Sequence, residues 1–423
     1  MRMSRLFTKT SKEAPHDAES ANAKLLVQGG FVHQEMAGVY TWLPLGLSVL
    51  RKVQEIIRQE MDALGAQEIM MPALQPKEPW ITTDRWDKFD VLFKIKSQTK
   101  KEYALGPTHE EIVTPLVRHF VTSYKDLPVA VYQIQSKFRD ELRAKSGILR
   151  GREFGMKDLY SFHLTQEDFE EYYAKAMEAY FRIFKRCGLD AKMTEASGGD
   201  FTKKFSHEFH LVTPAGEDTL LCCPSCSFAQ NLEIATKEKG DDCPQCGATL
   251  EINEGIEIGN IFDLGQKFTE AFDFKIKSPE GKEQPLYMGC YGIGTTRVVG
   301  AIVEASNDER GIIWPKSVAP AQIHLVALSS KDADVQTRIY ETAEGLYTDL
   351  KKEGLEVIWD DRYASAGEKL ADADLLGIPL RILISEKTLK EDAVEWKARN
   401  AKDARRVQLS EVMEEIESFV AEE

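Results

Sequence analysis

No apolar run in the 423 residues approaches the ~18–20 needed to span a bilayer, which excludes an integral helical membrane protein. The opening stretch MRMSRLFTKTSKEAPHDAES lacks an apolar core, so it does not read as a secretory signal. Acidic residues at Glu13 and Asp17 argue against a transit peptide. There is no internal repeat and no low-complexity tract. Positive charge is short: 54 Lys and Arg stand against 69 Asp and Glu, a net charge of −15. That excludes indiscriminate coating of nucleic acid but leaves room for a local basic patch. Cysteine is scarce and odd in number, at seven. Four of the seven sit in two C-x-x-C units, which points to a metal site in a reducing compartment, here the cytoplasm, rather than a disulfide frame.

What is present suffices for about two or three domains. Val53, Ile56, Ile57, Met61 and Leu64 share one face, which predicts a helix over 51–64 stopped by Gly65. The following QEIMMPAL reads as a strand ending near Pro72. Residues 131–138 and 152–163 read as a hairpin around a long basic loop. A helix of about 20 residues starts at Thr165 and stops at Gly188. Residues from about 199 to 256 lose periodicity and hold the paired cysteines. Strand-like runs resume at 257 and end in MGCYGIG, followed by a helix from Thr295 to Ala305. After the linker WPKSVAPAQ, strand and helix alternate, which predicts a small α/β domain with a largely parallel sheet.

Four motifs carry chemistry. Gly289–Arg297 is glycine-lined, so backbone can approach a flat ligand closely, or it is simply a tight strand–helix joint. It lacks the spacing of a dinucleotide fingerprint. Between Lys137 and Arg152 six cations face two carboxylates, a local balance of +4 suited to phosphates. Gly106-Pro-Thr108-His-Glu110-Glu111 contains a capping box, Thr108 with Glu111. Glu110 is not needed for that cap and is free to meet a cationic group. Cys223-x-x-Cys226 and Cys243-x-x-Cys246, sixteen residues apart, have the spacing of a zinc ribbon. Four thiolates leave no open position, so a structural Zn(II) is expected, with Cys222 as a substitute ligand and Cys187 and Cys290 as buried thiols.

Together these pieces resemble the class II aminoacyl-tRNA synthetases, and within them the bacterial-type prolyl-tRNA synthetases. The helix at 51–64 with the strand to Pro72 resembles motif 1, the dimer element. Phe138-Arg139-Asp140-Glu141 with Arg150 to Phe154 resembles motif 2, and Gly292-Ile-Gly294-Thr-Thr-Arg297 resembles motif 3. Thr108-His-Glu110 resembles the proline-binding Thr-x-Glu motif. The run from Asp360 to Pro379 resembles an anticodon-binding domain.

The resemblance implies an α+β fold. It consists of an antiparallel-sheet catalytic core (1–200 and 257–318), a short zinc-ribbon-like insert (201–256) and a C-terminal α/β anticodon-binding domain (319–423). It implies ligation of L-proline to tRNA(Pro) through prolyl-adenylate, by a homodimer. Arg139 would contact the α-phosphate and the proline carboxylate. Glu141 would accept from the adenine amino group, and Phe154 would stack on the base. Arg150 and Arg297 would hold the outer phosphates, and Arg139 with Arg297 would carry catalysis. Gly292 and Gly294 would line the ATP site, and Glu257 would help hold Mg(II) with ATP. Thr108 and Glu110 would meet the proline ammonium, with Met156 and Tyr160 around the ring. Asp361 and Arg362 would reach the anticodon. The basic stretch Lys397, Arg399, Lys402, Arg405 and Arg406 would either touch tRNA phosphates or form a solvated surface.

One departure matters. Many bacterial relatives carry a large editing domain between motifs 2 and 3, and here that interval holds only the cysteine-bearing insert. A proline pocket excludes alanine weakly, since a missing methylene is worth ~1–3 kcal/mol. Mischarging with alanine, without cis editing and with a separate deacylase as partner, is therefore expected. A non-catalytic tRNA-binding paralogue would lack motif arginines, and a threonyl-type enzyme would want a histidine-bearing catalytic zinc site; this sequence fits neither.

Overall fold

Alternating side chains on either side of a basic loop produce the central feature, a long antiparallel hairpin. The computed structural model describes residues 1–16, 18–197 and 205–421. The chain divides into two units, one of Glu35–Tyr40 and Val53–Ala301, the other of Met1–Gln34, Thr41–Lys52 and Ile302–Glu423.

The first unit is built on a nine-stranded sheet. Its strands are β1 (Gln67–Glu68), β2 (Val129–Phe138), β3 (Glu153–His163), β4 (Ala191–Ser197), β5 (Phe205–Val212), β6 (Asp218–Cys222), β7 (Ala229–Asn231), β8 (Glu251–Gly265) and β9 (Tyr287–Gly294). The spatial order is β5-β4-β7-β6-β8-β9-β3-β2-β1, with β5 also paired to β8. That extra pairing closes β4 to β8 into a ring. The strands are antiparallel except at β4–β7 and β1–β2.

Helix α1 (Pro44–Ala63) begins earlier than its apolar pattern suggests. The strand expected to end near Pro72 pairs with β2 at Gln67 and Glu68, the Ile69 N–H still donates to the Tyr132 carbonyl at 2.8 Å, and the Met71 N–H then turns to the Gln133 side chain, 3.0 Å away. Helix α2 (Glu110–Phe120) follows a loop, and α3 (Gln166–Arg186) is capped by Thr165, whose hydroxyl accepts from the Asp168 N–H at 3.2 Å. Gly188 takes the left-handed turn at φ +76° that ends α3. Tyr180 and Phe184 of α3 pack on Phe209, with ring centres 5.0 and 5.6 Å away. Helix α4 (Thr295–Ala305) follows β9 directly.

The stretch 201–256 is less separate than its composition suggests. Strands β5, β6 and β7 and the start of β8 belong to the sheet, so the cysteine knuckles occupy only the stretches on either side of β7. Its expected start at 201 lies outside the described residues. The start of β8 is masked in sequence because its first residues are dominated by charged and polar side chains.

In the second unit, β10 (Ile323–Ala327), β11 (Val357–Asp360), β12 (Leu380–Ile384), β13 (Ala393–Ala398) and β14 (Arg405–Gln408) lie in the order β11-β10-β12-β13-β14. The first three are parallel, joined by α5 (Ala333–Lys352) and α6 (Ala366–Leu376). The last two are antiparallel, so the sheet is mixed rather than largely parallel. Connections too short for a crossover helix, such as 399–404, force antiparallel return. Trp359, Ile323, Leu325 and Ile382 centre its core. The first residues of the chain pair beside β11, where the Trp359 N–H donates to the Met1 carbonyl at 2.8 Å.

Candidate active site

The β2–β3 hairpin opens into the loop 139–152, and that loop forms one wall of a cavity of about 280 Å³. The other walls come from the β5–β6 turn, from Gly255, Ile256 and Glu257 of β8, and from Thr296 and Arg297 of α4. Arg139, Glu141, Arg150, Phe154, Glu257 and Arg297, far apart in sequence, all line it. Gly292 and Gly294 do not. They sit further along β9, paired to Asp158 and Met156 of β3.

The arginines are held by carboxylates. Arg150 donates to Glu141 at 3.0 Å and to Glu217 at 2.9 Å. Burial alone would raise the Glu141 carboxyl, but the Arg150 guanidinium holds it below the ordinary range. Arg297 donates to the Glu257 carboxylate at 3.1 Å and its carbonyl at 2.9 Å. The Arg139 guanidinium lies 5.2 Å from the centre of the Phe154 ring. Burial and then Arg297 pull Arg139 down from its ordinary pKa, against the opposing charges of Glu257, Glu110 and Glu141. A second acidic group, Glu208 on β5, is pushed up to about 8 by burial and by Glu257 and Asp218. Of these carboxylates, Glu257 and Asp218 line the cavity and Glu208 does not.

A buried polar cluster lies at the start of α2. Thr108 does not cap the helix. Its hydroxyl is 2.8 and 2.7 Å from the two Glu110 oxygens, and Glu111 instead accepts from Arg85 at 2.8 Å and Thr83 at 2.9 Å. The capping box expected from sequence is therefore not formed: both of its side chains are drawn into stronger charged contacts. Arg85 also reaches Glu110, at 3.4 Å. Burial raises the Glu111 carboxyl to about 7, though Arg85 opposes it. Below lie Lys137 and Asp158, 2.7 Å apart. Tyr160 donates to Asp158 and accepts from the His109 N–H, both at 2.9 Å. His109 is held down to about 4, first by burial and then by Lys137. The Cys290 thiol donates to Glu110 at 3.2 Å. Tyr160 is wholly buried, so it serves this cluster from below, while Met156 is half-buried beside Gly294. Arg85 and Glu217 were not foreseen; each lies in a loop and shows its role only through partners distant in sequence.

The Sγ atoms of Cys223, Cys226, Cys243 and Cys246 all lie within 4.8 Å of one another, the one such metal-ligand cluster among the described residues. The Cys223–Cys246 and Cys226–Cys243 separations are 3.5 and 3.6 Å, close to the about 3.8 Å edge of a tetrahedron with 2.3 Å Zn–S bonds. Backbone N–H groups of Ser225 and Gln245 point at the Cys223 and Cys243 sulfurs, at 3.3 and 3.4 Å. The donor set fits a metal ion. Cys222 lies in β6, outside the cluster.

In the second unit, Arg362 donates to Asp360 at 2.8 Å and to Asp372 at 2.7 Å, and Asp361 accepts from the Ser4 hydroxyl at 2.6 Å. Tyr363 beside them is 87% exposed. Arg399, Arg405 and Arg406 are paired to Asp308, Glu415 and Glu391 respectively. No helix among the described residues is long and apolar enough to cross a membrane.

A family model for the tRNA synthetase class II core domain (G, H, P, S and T) matches residues 93–306, and one for the anticodon binding domain matches residues 322–419. The molecule is thus a class II synthetase core followed by an anticodon-binding domain. A proline--tRNA ligase of Moorella thermoacetica is 34% identical over 572 residues, covering 100% of this chain and 99% of that protein. One of Wolbachia sp. subsp. Drosophila simulans is 40% identical over 427 residues, covering 98% and 99%. The fold is also that of Giardia lamblia prolyl-tRNA synthetase, solved with prolyl-adenylate, at TM-score 0.76 and 20% identity over 94% of this chain and 78% of that one. The chain belongs to the proline--tRNA ligase family. The 572-residue alignment leaves 149 positions with no counterpart in these 423 residues, whereas the 427-residue alignment runs nearly without gaps.

Proposed function

We propose that the protein activates L-proline with ATP and transfers it to tRNA(Pro), using the cavity for the nucleotide and the Glu110 cluster for the amino acid. The observation that carries this reading is the position of Arg139. It lines the cavity with Glu141, Glu257 and Arg297, and its charge is also opposed by that of Glu110. A guanidinium there can hold the proline carboxylate against the α-phosphate, and no protein nucleophile is needed.

Thr108 and Glu110 receive the proline ammonium, whose two N–H donors suit a carboxylate. Met156 lies beside the ring, and Tyr160 fixes the floor. Arg150 and Arg297 take the outer phosphates, exchanging their present carboxylates for phosphate oxygens. Phe154 stacks on adenine, and Glu141, once released by Arg150, accepts from its amino group. Gly292 and Gly294 let the β9 backbone come close to the adenylate. Mg(II) bound with ATP would neutralise phosphate charge, with Glu257 as its candidate protein partner. Pyrophosphate leaves, and the prolyl group passes to the terminal ribose.

The cysteine cluster holds a structural Zn(II). The protein works as a cytoplasmic homodimer, with the motif 1 segment as its dimer element. Tyr363, with Asp361 and Arg362 shaping its loop, faces the anticodon. The segment between β3 and β9 is filled by α3, the strand ring and the knuckles, which supports the absence of cis editing. A separate deacylase then clears alanyl-tRNA.

Pyrophosphate exchange with each standard amino acid, without tRNA, tests the reading. Strong exchange with proline and weak exchange with alanine are expected. No exchange from folded protein overturns it, and absence of alanyl-tRNA accumulation by the purified enzyme overturns the editing part.

A further inference from the structure

The cysteine cluster and the cavity occupy opposite ends of one pair of strands. Strand β6 starts in the cavity wall at Asp218 and ends at Cys222, beside the first knuckle. Strand β8 leaves the second knuckle at Glu251 and enters the cavity wall at Gly255. The two pair antiparallel from Cys222↔Glu251 to Asp218↔Gly255, a span of about 14 Å at 3.4 Å per residue.

Two of the cavity's arginines are held by carboxylates from this pair of strands. Glu217, one residue before β6, takes Arg150 at 2.9 Å and lies 3.5 Å from the Lys145 ammonium. Glu257, on β8, takes Arg297 at 3.1 Å. The cavity end has no slack: a Cβ at Gly216 would stand 2.3 Å from the Gly255 nitrogen. A shift of β6 against β8 therefore moves both carboxylates.

The knuckle end has little else to close it. Its buried apolar residues are Leu221, Cys223, Cys243 and Leu250, two of them ligands. Lys192 of β4 tethers it by donating to the Cys223 and Cys226 carbonyls, at 2.6 and 3.1 Å. So small a core needs the metal to fix its geometry.

We propose that metal bound by Cys223, Cys226, Cys243 and Cys246 sets the affinity for ATP. It does so by fixing the β6–β8 pair, and through Glu217 and Glu257 the positions of Arg150 and Arg297. Glu217 is a positioning residue in this scheme, acting through Arg150. The inference rests on the cavity being the nucleotide site.

The test uses the full-length protein and zinc as the probe. Metal content is measured by emission spectrometry, and zinc is stripped with a mercurial and chelator and then restored. ATP and proline binding are each followed by calorimetry, which needs no turnover. One zinc per chain is expected. Stripping should weaken ATP at least tenfold, leave proline within twofold, and be reversed by zinc. Cys246→Ser should reproduce the loss. In Glu217→Gln the ATP difference between loaded and stripped protein should shrink, because one of the two links is cut. Unchanged ATP affinity, absence of bound zinc, or equal loss of ATP and proline binding with loss of the circular dichroism signal would each overturn the proposal. Zinc-dependent ATP binding without proline-dependent exchange in the loaded protein would support this coupling while overturning the proposed reaction.

Discussion

The cluster round Glu110 and the cluster round Asp360 are made from the same ingredients and do different things. Each buries carboxylates, cations and a histidine at the end of a strand or the start of a helix. Around Asp360, Arg362 bridges to Asp372, and Lys369 lies 3.8 Å from Asp360 while donating to the Ala327 carbonyl at 2.7 Å. Burial alone would raise the Asp360 carboxyl, but Arg362 and Lys369 hold it below the ordinary range. Two carboxylates meet two cations, and the account closes. Around Glu110, Arg85 serves two carboxylates at once, and burial leaves Glu111 raised to about 7. Two carboxylates share one cation in a nearly dry site, and the raised Glu111 carries part of the imbalance as a bound proton. Burial of charge is common to both; imbalance is what distinguishes the cluster proposed to receive the proline ammonium.

The largest effect should come from removing that imbalance. Glu110→Gln keeps the shape and deletes the charge. We expect kcat/KM for proline in pyrophosphate exchange to fall about a thousandfold, near 4 kcal/mol. The melting temperature should hold or rise, since Arg85 then faces one carboxylate. A destabilised variant with unchanged kinetics would make the Glu110 cluster another Asp360 cluster, and the contrast would fail.

The reverse experiment is Asp360→Asn. It leaves Arg362 and Lys369 without their shared anion in a buried setting, a loss worth about 3 kcal/mol. Urea denaturation should show it, while the KM values for ATP and proline in the exchange assay stay within twofold. A shifted proline KM would show that the two clusters are not independent.

How much of this was visible in the sequence follows the same division. The β2–β3 hairpin was legible because its alternation survives on both sides of the basic loop. The cysteine cluster was legible because ligand spacing is local. Helix α4 was bounded correctly at both ends. Arg85 carried no local signal: it follows a short helix, and its partners lie 25 and 26 residues away. Glu217 sits in a turn, and its link to Arg150 spans 67 residues. Thr108 and Glu111 gave a false local signal, because a cap and a charged cluster compete for the same side chains. Strand β8, 15 residues long, was legible only from 257 on, because its first residues are dominated by charged and polar side chains. Contacts set by sequence neighbours could be read, and contacts set by burial of distant charge could not.

The smallest predicted effect uses the histidines that each cluster buries. His324 lies on β10, and neither ring nitrogen has a protein hydrogen-bond partner. Burial, against the pull of Asp360, holds it down to about 4 from an ordinary 6.5. The unfolded chain therefore takes up the proton first as pH falls. Stability from this group is full above about 6.5, declines below it, and is spent near 4. At pH 5 the loss relative to neutral pH should be about 2 kcal/mol. Urea midpoints at pH 7 and pH 5 measure it, and His324→Leu should recover that amount. The slope should not vanish, because His109 is also held down to about 4 and titrates with the same sign in the other cluster. Saturating proline should raise stability by the same amount at pH 7 and pH 5 and leave both shares of the slope in place, because His109 stays neutral in the folded state with or without the ligand. A pH slope that His324→Leu leaves unchanged would place all the acid sensitivity in the Glu110 cluster and deny the Asp360 cluster any.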